Sequence, residues 1–213
     1  MMELLKKFST PTVSDALDKL GIPGACHGIA PLFNEARACG PAFTVRYVPI
    51  GAEGGTVGDF IDDAPEGAIV VLDNQGRTDC TVWGDIMTTL AGAKKIGGTV
   101  IDGVCRDVER ALDDGYPIFS RGRFMLTGKD RVACAEVGGT VSIGGINVRQ
   151  DDIVVADGNG VVVVPKERAA EVARIAREID AIEAQIIRDI QSGSTLREAR
   201  ARHGYHKLQT RGA

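Results

Sequence analysis

The sequence has few aromatic residues. They fill 5% of its 213 positions, too few to suggest a platform on which successive bases could stack. Positive charge is also in deficit: 25 Lys and Arg face 29 Asp and Glu, a formal net charge of −4. That balance lacks the basic footprint of a nucleic-acid or anionic-membrane binder, so neither partner is expected. The most basic stretch, Arg197 to Arg211, also carries Glu198 and reads as a solvated tail. The five cysteines (Cys26, Cys39, Cys80, Cys105 and Cys134) are odd in number and form no C-x-x-C pair. A disulfide framework or structural zinc is therefore not expected, and a reducing, cytoplasmic setting is. No apolar run approaches the ~18 residues of a membrane span. The opening MMELLKKFSTPTVSDAL has neither an apolar signal core nor the Arg-rich character of a transit peptide.

What is present is Gly, Ala and Val, within a composition that is 44% hydrophobic and 25% charged. This suits one compact domain with helices packed closely on a Val-rich sheet. Thr10-Pro11 with Val13, Ala16, Leu17 and Leu20 reads as a helix capped by Thr10 and ended by Gly21. Residues 40 to 50 read as extended chain, residues 57 to 62 as a short helical segment, and Ala68 to Leu72 as a strand apolar on both faces. Gly84 to Ile96 reads as a helix broken by Gly97-Gly98. Thr99 to Ile101 follows as a second buried strand, and another helix begins near Arg106-Asp107 and fades at Gly115. Strand, helix, strand, helix predicts right-handed crossovers in a parallel sheet.

Further along, residues 139 to 148, Asp152 to Ala156 and Val161 to Val164 read as β-structure, stopped by Pro165. A long amphipathic helix is expected from Lys166 to about Gln191, with Val172, Ile175, Ile179, Ile182, Ile186 and Ile190 on one stripe. At ~1.5 Å per residue it would span nearly 40 Å, more than one small sheet covers. We therefore expect its far half to pack on a neighbouring subunit, although periodicity alone fits a helix lying on its own domain equally well.

Asp85 and the Arg106-Asp107 pair fall just beyond the carboxyl ends of successive parallel strands, where open α/β sheets build ligand sites. Two helix N-termini there would offer N–H groups to a carboxylate. Two acids beside an arginine make sense around an anionic ligand if a divalent cation is also held, and Mg²⁺ is content with one or two carboxylates plus water and substrate. The residues by themselves leave a second reading open, because acids are electrostatically favoured in first helical turns whatever their function.

The pattern extends further. Asp85, twenty residues and then Arg106-Asp107, set in WGDIMTTLAGAKKIGGTVIDGVCRDV, resembles the signature of the RraA-like family. That family includes the 4-hydroxy-4-methyl-2-oxoglutarate / 4-carboxy-4-hydroxy-2-oxoadipate aldolases. TPTVSDALDKLG is similar to the family's opening helix, GPAFTV to its first strand and ADGNGVVVVP to its closing strands, so the resemblance covers most of the chain.

The resemblance implies an α/β fold of the three-layer β/β/α swivelling-domain type, with parallel strand–helix units and a long C-terminal helix. It implies an RraA-like catalytic domain over residues 1–165 and a helical extension over 166–213. The protein would be a homotrimer or homohexamer with sites at subunit interfaces. It further implies Mg²⁺ or Mn²⁺ as cofactor, with Asp107 binding the metal directly and Asp85 through an intervening water. Arg106 would contact the keto oxygen, and backbone amides around Gly84, Asp85, Ile86 and Met87 would hold the carboxylate of a small 2-oxo acid. The activity implied is release of pyruvate from 4-hydroxy-2-oxo di- or tricarboxylic acids, with oxaloacetate decarboxylation as a side reaction. A glutamate from the C-terminal helix would reach a neighbour's site as the base, and Glu183 is assigned that role, with Glu178 in reserve.

Two stretches depart from the family's text. Gln150-Asp151-Asp152 stands where many relatives have Pro-Gly-Asp. RGRFMLTGKDR, after Ile118-Phe119, leaves the contacts of the substrate's far end open.

Other chemistries find less support. Lys94 and Lys95 sit at a helix end rather than in a desolvated Schiff-base pocket, and His203 and His206 read as surface residues, remote in sequence from His27. Cys105 adjoins Arg106 and could have a lowered pKa, but it reads more simply as a small core residue. Asp73 and Asp102 end strands and could simply cap turns, with Asp102 a candidate support for the site. The rival function is a protein-binding regulator resembling the family's ribonuclease E inhibitors, whose chains are shorter and lack the long terminal helix. A narrower rival is oxaloacetate decarboxylation alone.

Overall fold

A computed structural model describes residues 1–52 and 54–205. Its strands are β1 (Ala30–Pro31), β2 (Ala38–Pro49), β3 (Ile69–Thr81), β4 (Gly98–Cys105), β5 (Ile118–Arg123), β6 (Val132–Val137), β7 (Val141–Ile143), β8 (Ile146–Val148), β9 (Ile153–Asp157) and β10 (Gly160–Val164). The helices are α1 (Met2–Leu5), α2 (Thr10–Lys19), α3 (Asp85–Ala93), α4 (Val108–Asp113), α5 (Ala169–Gln191) and α6 (Leu196–Arg202), with 3-10 turns at Asp59–Asp63 and Lys166–Arg168.

Eight strands make one sheet in the order β1-β5-β4-β3-β2-β9-β10, with β6 also on β2, while β7 and β8 form a separate hairpin. The centre, β2 to β5, is parallel, as the alternation of strands and helices predicts. The antiparallel strands flank it. β2 is long enough to pair with β9 through residues 38–41 and with β6 through 45–49 on the same side. The segment from Gly24 to Pro31 bridges the two outer edges. Val163 donates its N–H to the Gly24 carbonyl and Cys26 to the Val161 carbonyl, whereas Ala30 and Pro31 pair with β5. Strand edges that could recruit another chain are thereby covered.

Side-chain alternation along each strand sorts the apolar residues into separate cores. Val70 and Leu72 of β3, with Ile101 and Ile118, pack beneath α3 and α4 together with Trp83, Ala91, Val108 and Ala111. The intervening residues Ile69, Val71, Val100 and Phe119 face the opposite way, onto the hairpin residues Val141, Ile143 and Val148 and onto Val154, Val161 and Val163. Ile153, Val155, Val162 and Val164 in turn support α2 and α5. Helices α3 and α4, the parallel sheet and the second β-layer follow in that order, which is the three-layer β/β/α arrangement, and α2 and α5 pack beyond β9 and β10.

The elements depart from expectation locally. Ser9, rather than Thr10, caps α2, accepting from the Thr12 N–H at 3.3 Å. Thr10 instead donates its N–H and hydroxyl to the Asp157 carboxylate at 2.8 and 2.7 Å. β3 continues to Thr81, well past Leu72, but register shifts after Asp73 and Arg77 make its outer part irregular, which alternation could not reveal. The Arg197–Arg211 stretch is not simply a tail. Residues 196–202 form α6, closed by a capping box in which Thr195 and Glu198 bond each other's backbone N–H. His206 and Arg211 lie outside the described residues. In α5, Val172, Ile175, Ile179 and Ile186 are buried within this chain, whereas Ile187 and Ile190 near its end are exposed.

Candidate active site

Asp85, Arg106 and Asp107 come together because two connections leave the sheet side by side. The Arg106 N–H donates to the Trp83 carbonyl at 3.0 Å, tying the β4–α4 connection to the β3–α3 one. Trp83 is the anchor beneath them. It is fully buried, donates from its indole nitrogen to Thr88 Oγ1 at 3.0 Å, and stacks on Tyr116 with ring centres 6.1 Å apart. Thr88 Oγ1 donates to the Gly84 carbonyl at 3.1 Å, so the first turn of α3 is fixed from below. Nothing in the residue pattern singled Trp83 out, although its place immediately before Gly84-Asp85 was the available signal.

Arg106 Nε lies 3.2 Å from Asp107 Oδ2, and both side chains are 40% exposed. Asp107 occupies the N-cap of α4 in the left-handed conformation, φ 53° and ψ 44°, and makes no side-chain cap bond. For a residue other than glycine this conformation costs on the order of 1–2 kcal/mol, and aspartate is among those that tolerate it best. It turns the carboxylate away from its own helix and toward Gly84 and Asp85. The Asp85 N–H points at Asp107 Oδ2 from 3.4 Å. A Cβ on Gly84 would stand 2.7 Å from the same oxygen, so only glycine leaves that carboxylate where it is.

Asp85 Oδ1 accepts the N–H of Ile86 at 2.8 Å. That bond takes one of the amides expected to hold a substrate carboxylate. A ligand bound there would have to displace the Asp85 side chain from its own helix turn. A cavity of about 330 Å³ opens over this turn, lined by Gly84, Asp85, Ile86, Met87 and Arg106 with Asp59 and Asp62 opposite. It is large enough for a small dicarboxylic acid, and Ile86, 78% exposed, stands at its mouth.

The donor chemistry matches a hard divalent cation. Asp85 and Asp107 supply oxygen alone, and among the described residues no group of three or more His, Cys, Asp and Glu side chains forms a preassembled metal cage. Zinc would want such a cluster, whereas Mg²⁺ retains water and takes few protein ligands.

Glu183 is not in this cavity. It lies on α5 in the layer beyond β9 and β10, half-buried. Burial pushes its carboxyl pKa up, with Asp15 and Asp180 adding repulsion. Glu178 is exposed and ion-paired with Arg174 at 2.7 Å. Cys105 does not have a lowered pKa: burial raises it, outweighing a contact with Ser120 and the charge of Arg123. Asp73 and Asp102 support the hairpin. Asp73 accepts the Ser142 N–H at 3.0 Å, and Asp102 accepts the Gly144 N–H at 2.8 Å while pairing with Arg121, a partner that residue spacing does not reveal. Lys94 Nζ donates to the Asp62 carbonyl, and His203 bonds Asp189 at 2.9 Å.

The sequence model of the RraA-like family (Aldolase/RraA) matches residues 10–163, and the chain belongs to that family. Among its relatives, protein DlpA of Legionella pneumophila is 39% identical over 210 residues, which cover 97% of this chain but 34% of DlpA, so the chain spans about a third of that relative. A Halalkalibacterium halodurans protein, provisionally named a 4-hydroxy-4-methyl-2-oxoglutarate aldolase, is 32% identical over 81% of this chain and 80% of its own.

The crystal structure of an uncharacterized protein from Pseudomonas syringae pv. tomato superposes with a TM-score of 0.88 at 46% identity, covering 93% of this chain and 96% of that one. Streptomyces coelicolor RraAS2, described as an unusual member of the RNase ES inhibitor RraA family, follows with a TM-score of 0.76 at 25% identity over 91% and 96%.

Proposed function

We propose that this chain is a carbon–carbon lyase that releases pyruvate from 4-hydroxy-2-oxo di- or tricarboxylic acids and also decarboxylates oxaloacetate. The observation that carries this reading is the Arg106 guanidinium, which lines a cavity fit for a small acid, together with the Asp107 carboxylate that it pairs with and that the Asp85 N–H faces from the first turn of α3.

Asp107, with Asp85 beside it, would hold Mg²⁺ or Mn²⁺. The cation, when bound, would supply Lewis-acid stabilisation of the charge that grows on the substrate's 2-oxo oxygen. Arg106 presents a planar, permanently charged donor to that same oxygen. The α3 N-terminus receives the 1-carboxylate once Asp85 releases the Ile86 amide. In aldol cleavage a base takes the C4 hydroxyl proton, the C3–C4 bond breaks, and its electrons pass into the enolate of pyruvate, which is then protonated at C3. Oxaloacetate loses CO₂ to give the same enolate and needs no such base.

In this reading residues 1–165 carry the site, and the 166–213 extension brings Glu183 to a neighbouring subunit's site in a trimer or hexamer. The exposed Ile187 and Ile190 near the end of α5 are the contact it would use. Glu183→Gln should then depress aldol cleavage roughly 10²-fold, the usual scale for a lost general base, and leave decarboxylation nearly intact.

The primary test is a pyruvate-release assay on a panel of 4-hydroxy-2-oxo acids and oxaloacetate. Turnover should vanish in excess chelator and return with Mg²⁺ or Mn²⁺. Full turnover in chelator overturns the assigned cofactor. No turnover on any member of the panel favours a protein-binding regulator similar to the ribonuclease inhibitors of the family.

A further inference from the structure

Arg106 separates two hollows of different charge. On one side is the cavity already described, where three carboxylates, Asp59, Asp62 and Asp85, line the wall with Arg106. On the other is a second cavity of about 280 Å³, lined by Arg106, Asp107, Glu109, Arg123, Phe124 and Met125. Arg123 ends β5 directly opposite Cys105, the residue before Arg106, and the Phe124 N–H donates to the Cys105 carbonyl at 3.0 Å. The backbone ladder therefore fixes the Arg123 position relative to Arg106.

Arg106 is engaged by Asp107, whereas among the described residues the Arg123 side chain makes no hydrogen bond or ion pair, and the residue is held only by its backbone ladder to Cys105. Glu109 also lines this cavity, from the exposed first turn of α4, and the two side chains are not paired with each other. A guanidinium left with its donor edge open, beside the exposed apolar surface of Phe124 (36%) and Met125 (74%), is a receptor for a carboxylate on a short carbon chain.

We propose that Arg123 binds the distal carboxylate of a dianionic 2-oxo acid and thereby sets a preference for diacids over acids with a neutral tail. The proposal rests on the lyase reading for the position of the pyruvyl half. With that half at Arg106 and Asp107, a second carboxylate directed toward Asp59, Asp62 and Asp85 meets three carboxylates, whereas one directed past Arg106 meets Arg123 with Glu109 alone opposing it, Asp107 being paired with Arg106. The stretch that carries Arg123, RGRFMLTGKDR, is also where the sequence departs from the family's usual text, so the preference belongs to this chain.

Arg123→Met, which keeps the apolar stem, and Arg123→Lys separate charge from packing. For each, KM and kcat are measured for pyruvate release from 4-hydroxy-2-oxoglutarate and from 4-hydroxy-2-oxopentanoate, which lacks the second carboxylate. Calorimetric Kd values for 2-oxoglutarate and 2-oxopentanoate are measured alongside. Arg123→Met should raise KM and Kd for the diacids roughly tenfold, leave kcat alone and change the monoacids by less than about twofold, and Lys should restore part of the loss. Equal effects on diacid and monoacid, or none on either, overturn the proposal. Selective loss of 2-oxoglutarate binding in a protein that releases no pyruvate would refute the lyase reading and uphold the role of Arg123.

Discussion

Asp102 and Asp107 stand five residues apart, one within β4 and the other just past its end, each beside an arginine, and the two pairs do different work. The Asp102 side chain is 7% exposed, and its oxygens are taken by Arg121 and by the Gly144 N–H. Buried between these partners, it is closed to a ligand. The Asp107 side chain is 40% exposed, reaches only one arginine nitrogen and one distant amide, and keeps lone pairs facing solvent. Geometry decides the difference. Asp102 still lies in the strand, under the β7–β8 hairpin, whereas Asp107 lies past its end in a left-handed turn. The same two residue types hold the second β-layer in one place and face a cavity in the other.

The contrast breaks most visibly at the open pair. Arg106→Lys and Asp107→Asn should each lower kcat/KM by roughly 10²- to 10³-fold, the scale of losing one preorganised charge-stabilising group. The urea midpoint should stay near wild type, because an exposed ion pair contributes at most about 1 kcal/mol. Part of the Asp107→Asn loss should return at high Mg²⁺. Near-normal kcat/KM in both variants would move the site elsewhere.

The closed pair should respond in reverse. Asp102→Asn leaves Arg121 without its counter-charge and should cost about 2–3 kcal/mol in urea unfolding, while kcat per folded molecule stays unchanged. A catalytic loss without a stability loss would reverse the assignment of Asp102.

Gly84→Ala tests the steric link between the two connections. The added methyl must push the Asp107 carboxylate aside, which should cost up to about 10²-fold in kcat, as misplacements near 1 Å do, at little expense in Tm.

The smallest effect concerns Glu183. Its folded-state pKa is raised, so the native state holds the proton more tightly than the unfolded chain. Stability present below the unfolded value of about 4.3 is lost as pH climbs through it toward the folded value. Glu183→Gln should remove that decline, giving less than about 0.5 kcal/mol at pH 7 because the group is half-exposed. A variant losing stability at neutral pH would contradict this.

Much of this arrangement was legible in the residues. Val70–Leu72 and Val100–Ile101 are apolar on both faces, which marks buried parallel strands, and the spacing from Asp85 to Arg106-Asp107 follows from one helix and one strand between them. The distinction between Asp102 and Asp107 was not legible. It depends on a hairpin forty residues downstream whose Gly144 amide arrives at Asp102 through tertiary packing alone. β6 was missed because its outer half, Ala135 to Val137, lacks a buried face, and it exists by pairing with β2. The capping of Ile86 by Asp85 was equally invisible, since an acid in a first turn fits that role and a ligand-binding one alike.

The left-handed turn at Asp107 has a consequence for descent. Asparagine and glycine are the residues that best accept this conformation, and each is one nucleotide change from an aspartate codon. Random drift at this position therefore reaches, in a single step, chains that keep the scaffold intact while losing the carboxylate. At Asp102 the same change is not neutral, because its carboxylate holds both the Arg121 guanidinium and the Gly144 amide of the hairpin. If the lyase reading holds, a lineage built on this plan can shed its chemistry far more easily than its shape.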